Sequence, residues 1–482
     1  MANHNRAEST HYPVTYDDVF NERCIRLNGV WESKILARSR IRALEAFVGR
    51  QMDNRGPVRF LSTARGAYNI VLKFHIRDGR APRHVALRFP QPGFSPAALV
   101  AERLENEVHW MQFFEEEQIA PVPHIYSWSA VPGPDGMDPY IMMDFIDGES
   151  LHTLFTRWKT SKDAEDEAKR RFVYEQLAAI VLALSRPRFD KIGSITRAVD
   201  GSWAVTRRPL TYDMHAQLSG IPHFPTDAWP TGPLQSAREY RELVAGIRHQ
   251  QMLSLRSINI PGAWNTEGYF DLQAGSAINM ERAMATARGR VVARRATALP
   301  ACTPHLDNDH GPFAIVCPDL CLRDFLVDPA TGRITAMLDL EFTNALPVAF
   351  AHDPPVWLTT SNLDRYLEYG LLPYWQEQFQ TAWEAFVGIL ERIEPGPPSL
   401  SARMRESWAR KTYLLHHALN RSDVADIIYH ELPALFPAVV VDPQEVEAYQ
   451  THTRRQIAAY EEERAALSGT TTSNETGAAT TT

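Results

Sequence analysis

The chain has little cysteine, no excess of basic charge and no long apolar run. Four of its 482 residues are cysteine, at positions 24, 302, 317 and 321, too few at this length for a disulfide framework. Cys317 and Cys321 with His305 and His310 lack the spacing of a recognised zinc site, and both cysteines are expected to be packing residues. Lysine and arginine number 50 against 58 acidic residues, a formal net charge of -8. Phosphate backbones demand basic patches, so no nucleic-acid partner is expected. No stretch approaches the roughly 18 consecutive apolar residues that span a bilayer, so no membrane partner is expected either. The opening MANHNRAESTHYPVTYDD has no apolar core, and its acidic residues Glu8, Asp17 and Asp18 are unlike a mitochondrial presequence. A cytoplasmic protein is expected. No internal repeat is visible.

What the chain does have is a set of aspartates spaced around a hairpin. From Cys317 it reads CPDLCLRDFLVD, then the turn PATG, then RITAMLDLEF. FLV reads as a short apolar strand, Pro329 to Gly332 as a tight turn and Ile334 to Leu338 as the returning strand. That order delivers Asp339 beside Asp324, with Asp319 five positions before Asp324. Such spacing suits phosphotransfer: the first carboxylate orients and deprotonates an acceptor hydroxyl, and the later two hold the magnesium that neutralises a triphosphate. The plainer alternative is a β-hairpin flanked by solvated aspartates.

These segments resemble the aminoglycoside phosphotransferase and choline kinase family, whose catalytic loop runs H-G-D-L-x-x-x-N and whose metal segment is often I-D-W-E. Here Cys317 stands where the family has His, Pro318 where it commonly has Gly, Asp324 where it has Asn and Leu340 where it often has Trp. A carboxylate at 324 is still a hard oxygen ligand, but it adds negative charge beside Asp319 and Asp339, coupling metal binding more strongly to pH. The resemblance implies an α+β, two-lobed protein-kinase-like fold with a mostly β amino-terminal lobe and a helical carboxy-terminal lobe. ATP and Mg2+ would lie between them, and a small-molecule hydroxyl, compatible with a cationic acceptor, would receive the γ-phosphate. Asp319 is then the catalytic base, Asp324 and Asp339 the metal ligands, and Glu341 a support for the metal segment.

Upstream, FLSTARGAYNIVLKFHIRDGRAPRHVALRFP from Phe60 suggests two apolar strands joined at Asp78-Gly79, the first preceded by a loop holding Gly66. By resemblance the loop covers phosphate and Arg88 is the phosphate-binding cation, a guanidinium where protein kinases use Lys. One glycine is far from a G-x-G-x-x-G pattern. Roughly Pro96 to Glu117 has the apolar spacing of a helix face. Glu107 stands where the family's helix supplies the partner of the strand cation, with Glu105 as the competing candidate. Tyr140 to Met143 reads as a strand, and Asp144 to Gly148 as the linker between lobes where adenine would sit.

The layout expected is a cap over residues 1–54, an amino-terminal lobe over 55–145 and a helical lobe over 146–467 carrying the catalytic loop 317–324 and metal segment 337–342. A disordered tail over 468–482 follows, since its Ser, Thr and Gly content cannot bury apolar surface. In the cap, Asp17 to Phe20 and Ile35 to Phe47 are expected to be helical. Further helices are expected near Arg170 to Leu184, Ala237 to Leu255, Met404 to Asn420 and Glu445 to Leu467. The region between Thr196 and His310 is expected to shape the acceptor pocket. A different class of function, a non-catalytic scaffold or nucleotide-binding regulator, is favoured by the departures at Cys317, Pro318 and Asp324.

Overall fold

The computed structural model describes residues 17–476, apart from 54–55, 78–82, 134–135, 255, 257–286, 289–290, 293–302, 304–305, 307–309, 398 and 437. The Asp78-Gly79 turn, Cys302, His305 and the last six tail positions lie outside the described residues. An antiparallel sheet of five strands forms first: β1 (Val58–Arg65), β2 (Asn69–Ile76), β3 (Arg83–Pro90), β4 (Ile125–Ser129) and β5 (Tyr140–Asp144), in the order β1-β2-β3-β5-β4. Strand β2 alternates, so Ile70, Leu72, Phe74 and Ile76 are buried on one face while their neighbours are half-buried. The buried face joins Val85, Leu87 and Phe89 of β3 and the helical cap above it. Arg88, one residue out of phase, points to the opposite face.

The cap is two helices, α1 (Asp18–Ile35) and α2 (Arg38–Gln51). Asp17 caps α1 by accepting from the Phe20 N–H at 2.9 Å, as acceptors at that position do. The sequence suggested only fragments of these helices, because α1 buries a narrow strip and leaves Ile25, Leu27 and Val30 exposed. Its periodicity is therefore weak. Helix α1 also presses on the loop after β3: a Cβ at Gly93 would sit 2.1 Å from the Cys24 carbonyl oxygen, so only glycine fits there.

On the other face lies α3 (Ala97–Glu116), which buries Leu104, Val108, Met111 and Phe114 together with three polar residues, Arg103, Asn106 and Glu107. Beyond β5 the chain is mainly helical. The helix Ala164–Leu184 packs beside Leu372–Ile393, whose Trp375, Phe379 and Trp383 rings stack at 4.7 and 6.3 Å. Instead of one helix from Met404 to Asn420 there are two, Leu400–Arg410 and Thr412–Asn420. Lys411 between them has φ 59, a left-handed conformation that ends a helix turn. The last helix runs Pro443–Thr476, into the stretch expected to be unstructured; extension of a helix already nucleated adds one hydrogen bond per residue fixed.

Candidate active site

The carboxylate segment folds as a hairpin. Phe325–Asp328 pairs antiparallel with Arg333–Met337, and Glu149–Ser150 adds a short third strand beside Leu326 and Val327. Asp328 builds the turn: its carboxylate accepts from the Ala330 N–H at 2.9 Å and the Thr331 hydroxyl at 2.8 Å, while Gly332 takes φ 73. Side-chain acceptors of this kind favour turns. Ahead of the hairpin, Leu322–Asp324 makes a single 3-10 turn. There the Asp324 carboxylate accepts from the Cys321 N–H at 2.7 Å, and the Asp324 carbonyl accepts from the Leu338 N–H at 2.8 Å. The main chain of residue 324 thus anchors the segment that carries Asp339.

Asp339 has φ 62. Aspartate tolerates this left-handed region better than most residues, and such conformations cost on the order of 1–3 kcal/mol and cluster at functional sites. Its carboxylate lies 3.4 Å from Nη2 of Arg88 on β3. Arg88 is buried, and its other nitrogen, Nη1, donates to Glu107 of α3. Glu105, the competing candidate, instead pairs at 2.8 Å with Arg207 near the surface. Burial pushes the Glu107 carboxyl up, the Arg88 cation pulls it back, and Glu341 and Asp339 add to the rise.

Glu341 lies two residues beyond Asp339 and accepts from both Arg88, at 3.4 Å, and Arg103 of α3. Asn106 donates to the main-chain carbonyls of Glu341 and Thr343 at 2.9 and 3.0 Å. One helix therefore supplies three polar side chains that hold Arg88 and the stretch from Asp339 to Thr343 together. Arg103 was missed from the sequence, although a signal existed: it stands four residues before Glu107, among apolar positions of one helix face.

Asp319 lies at the carboxylate cluster with 31% of its side chain exposed. Burial pushes its carboxyl up to about 7; Arg421 opposes this, while Asp339, Glu341 and Asp364 add to it. Arg421 Nη1 is 3.4 Å from Asp319 Oδ1. Burial likewise pushes Asp324 well above the usual carboxylate range, with the Asp339 charge next in effect. Cys317 is packed, with the Thr343 hydroxyl donating to its sulfur at 3.4 Å, and burial pushes its thiol up to about 12.

Gly66 lies in the turn between β1 and β2. Its N–H donates to the Asn69 carbonyl at 2.8 Å and its own carbonyl accepts from Gln91 at 2.9 Å. A Cβ there would meet only the Asn69 oxygen, at 3.6 Å, so the turn itself does not require glycine. The linker after β5 is tied to the sheet through Asp147, which accepts from Lys73 at 2.7 Å and sits 3.0 Å from His84 Nδ1. A cavity of about 510 Å³ lined by Glu45, Arg50 and Asp53 lies by α2 and contributes none of the site residues.

A five-stranded antiparallel lobe carrying a buried cation paired to a helix glutamate, set against a helical lobe that bears a carboxylate hairpin, defines a two-lobed protein-kinase-like fold. The model of the phosphotransferase enzyme family matches residues 63–350, and the chain belongs to that family. No curated protein matches it. Similar solved structures include a protein of Ralstonia eutropha JMP134 described as an aminoglycoside phosphotransferase, 13% identical over 88% of this chain and 98% of that one, with TM-score 0.38. The ethanolamine kinase of Plasmodium vivax is 10% identical over 84% and 82%, with TM-score 0.35. Choline kinase of Cryptosporidium parvum is 10% identical over 89% and 97%, with TM-score 0.34.

Proposed function

We propose that this phosphotransferase is an ATP- and Mg2+-dependent kinase that transfers the γ-phosphate to a hydroxyl of a small molecule. The observation that carries the reading is the Arg88 guanidinium, which meets Glu107 of one lobe and Asp339 of the other, 251 residues away along the chain. A buried cation tied to both lobes at the mouth of a carboxylate cluster suits a triphosphate and its counter-ion. On this reading residues 55–145 and 146–467 are the two lobes, Gly66 belongs to the loop over the phosphates, and a cytoplasmic location goes with ATP as donor.

The donor set fits the metal. Asp324 and Asp339 offer two hard oxygen ligands, one of them partly held by the Cys321 N–H and the other 53% exposed. Among the described residues no group of three or more protein ligands gathers, and Mg2+ is usually held by one or two carboxylates with waters and phosphates completing its shell. Bound metal would neutralise the triphosphate charge. Asp319 would orient the acceptor hydroxyl and accept its proton, and Arg88, steadied by Glu107, would grip phosphate oxygens.

Thermal unfolding tests this reading. ATP with magnesium should raise the melting temperature, and EDTA should abolish most of the rise, because a ligand that binds only the native state stabilises it by mass action. Equal shifts with and without metal would remove Asp324 and Asp339 from the site. Nucleotide binding without any phosphorylated product would instead favour a regulator.

A further inference from the structure

Arg421 was not singled out by any sequence pattern, yet it is 3% exposed and sits against the candidate base. It precedes the helix Ser422–Glu431. Its two terminal nitrogens divide between carboxylates: Nη1 is 3.4 Å from Asp319 Oδ1, and Nη2 is 3.3 Å from Asp364 Oδ2. The guanidinium lies 4.0 Å from the centre of the Tyr212 ring, within cation–π range. Its carboxylate partner Asp364 is itself held by His417 Nε2. The next residue is fixed as well: the Ser422 N–H and hydroxyl donate to Asp213 at 2.9 and 3.0 Å. The planar fork of arginine thereby acts as a rigid brace between elements far apart in the chain.

We propose that Arg421 is a positioning residue for Asp319, fixing the orientation of its carboxylate so that Oδ2 is the oxygen presented to the acceptor hydroxyl. The inference rests on the reading of Asp319 as the base. A carboxylate otherwise rotates about its terminal bond, which is broad and roughly two-fold, and a general base works only when its oxygen is within hydrogen-bond reach of the proton it takes. Engaging Oδ1 with a braced guanidinium removes that freedom. The charges that act most on Asp319 are Arg421, Asp339, Glu341 and Asp364, and Asp319 in turn bears on Tyr68, Cys321 and Asp324. Arg421 is the cation in this set, and it opposes the rise that burial and the acidic neighbours impose on Asp319.

A double-mutant cycle on the full chain tests the proposal, with steady-state ADP release from magnesium ATP and water as the acceptor. Arg421→Ala should lower kcat about 10-fold, a part of the roughly 10²–10⁴ that a positioned base is worth, while KM for ATP changes little. Asp319→Asn should lower kcat by roughly 10² or more. The double variant should be no slower than Asp319→Asn, because the arginine then has no base left to position. A further 10-fold fall in the double variant overturns the proposal in favour of a structural role, and so does wild-type kcat in Arg421→Ala. If Arg421→Ala does not fold, Arg421→Lys takes its place: one ammonium cannot brace two carboxylates, so kcat should fall in the wild-type background and stay unchanged in the Asp319→Asn background. A fall of equal size in both backgrounds overturns the proposal. Failure of the kinase reading itself is recognisable separately, as a wild-type chain stabilised by magnesium ATP that forms no phosphorylated product with water or with any of a panel of hydroxylated small molecules.

Discussion

Removing the Glu341 carboxylate isolates the energetics that hold the two lobes together at the site. Glu341 is 4% exposed and Arg103 3%. Once Glu341 is gone, Arg103 keeps its donation to Ser95 at 3.0 Å, the faces of Tyr68 and Phe342 at 5.4 and 5.7 Å and the weaker pull of the Asp339 charge. Arg88 still has Glu107 and Asp339, so the loss falls mainly on Arg103. Breaking a buried pair by deleting one partner leaves an uncompensated charge and costs about 3–5 kcal/mol. Glu341→Ala should therefore lower unfolding free energy by that amount, measured by urea denaturation with linear extrapolation. Glu116→Ala is the control, since Glu116 pairs with Arg197 where both side chains are over 40% exposed; such pairs contribute about 0–1 kcal/mol. Glu341→Gln keeps an acceptor for Arg103 and should fall between the two. A Glu341→Ala loss no larger than that of Glu116→Ala would refute the network as a clamp.

The pH dependence has a definite sign. The Asp319 carboxyl is pushed up to about 7, so base function is present above that value and turnover should fall as pH drops through it, measured as kcat/KM against pH. Because the folded value exceeds the unfolded one, the same group favours the fold at low pH, and this contribution is lost as pH rises through about 7. Asp324→Asn keeps an oxygen ligand and removes a charge crowded by Asp339; the pH dependence of magnesium-dependent ATP stabilisation should weaken, and an unchanged dependence would place Asp324 off the metal. The Cys317 thiol, pushed up to about 12 by burial, should react far more slowly with a thiol reagent at neutral pH than a free cysteine does. Rapid modification at that residue would contradict its packing against Thr343.

The parts of the site legible in the sequence were those with local chemistry. The hairpin could be read because Pro329 to Gly332 is a tight turn between short apolar strands, whereas Arg88 was singled out through the family resemblance, its strand giving no signal of its own. Glu107 and Glu105 could not be separated without tertiary structure, since they differ only in which helix face meets β3. Strand β1 was missed because most of its residues are exposed and show no apolar alternation. Arg421 carries no local signal at all: its partners are 57 and 102 residues away in sequence, Asp364 and Asp319. The helix break at Lys411 was invisible for a related reason, as lysine rarely marks a left-handed turn.

The central claim is phosphoryl transfer based on Asp319, and one comparison bears on it most directly. Wild-type chain and Asp319→Asn would be incubated with magnesium ATP and a panel of hydroxylated small molecules, with phosphorylated product and ATP-dependent stabilisation followed together. Wild-type should phosphorylate at least one acceptor, and Asp319→Asn should do so roughly 10² times more slowly or worse while its stabilisation by magnesium ATP persists. Undiminished transfer by Asp319→Asn, or a wild-type chain that phosphorylates nothing, would contradict the account.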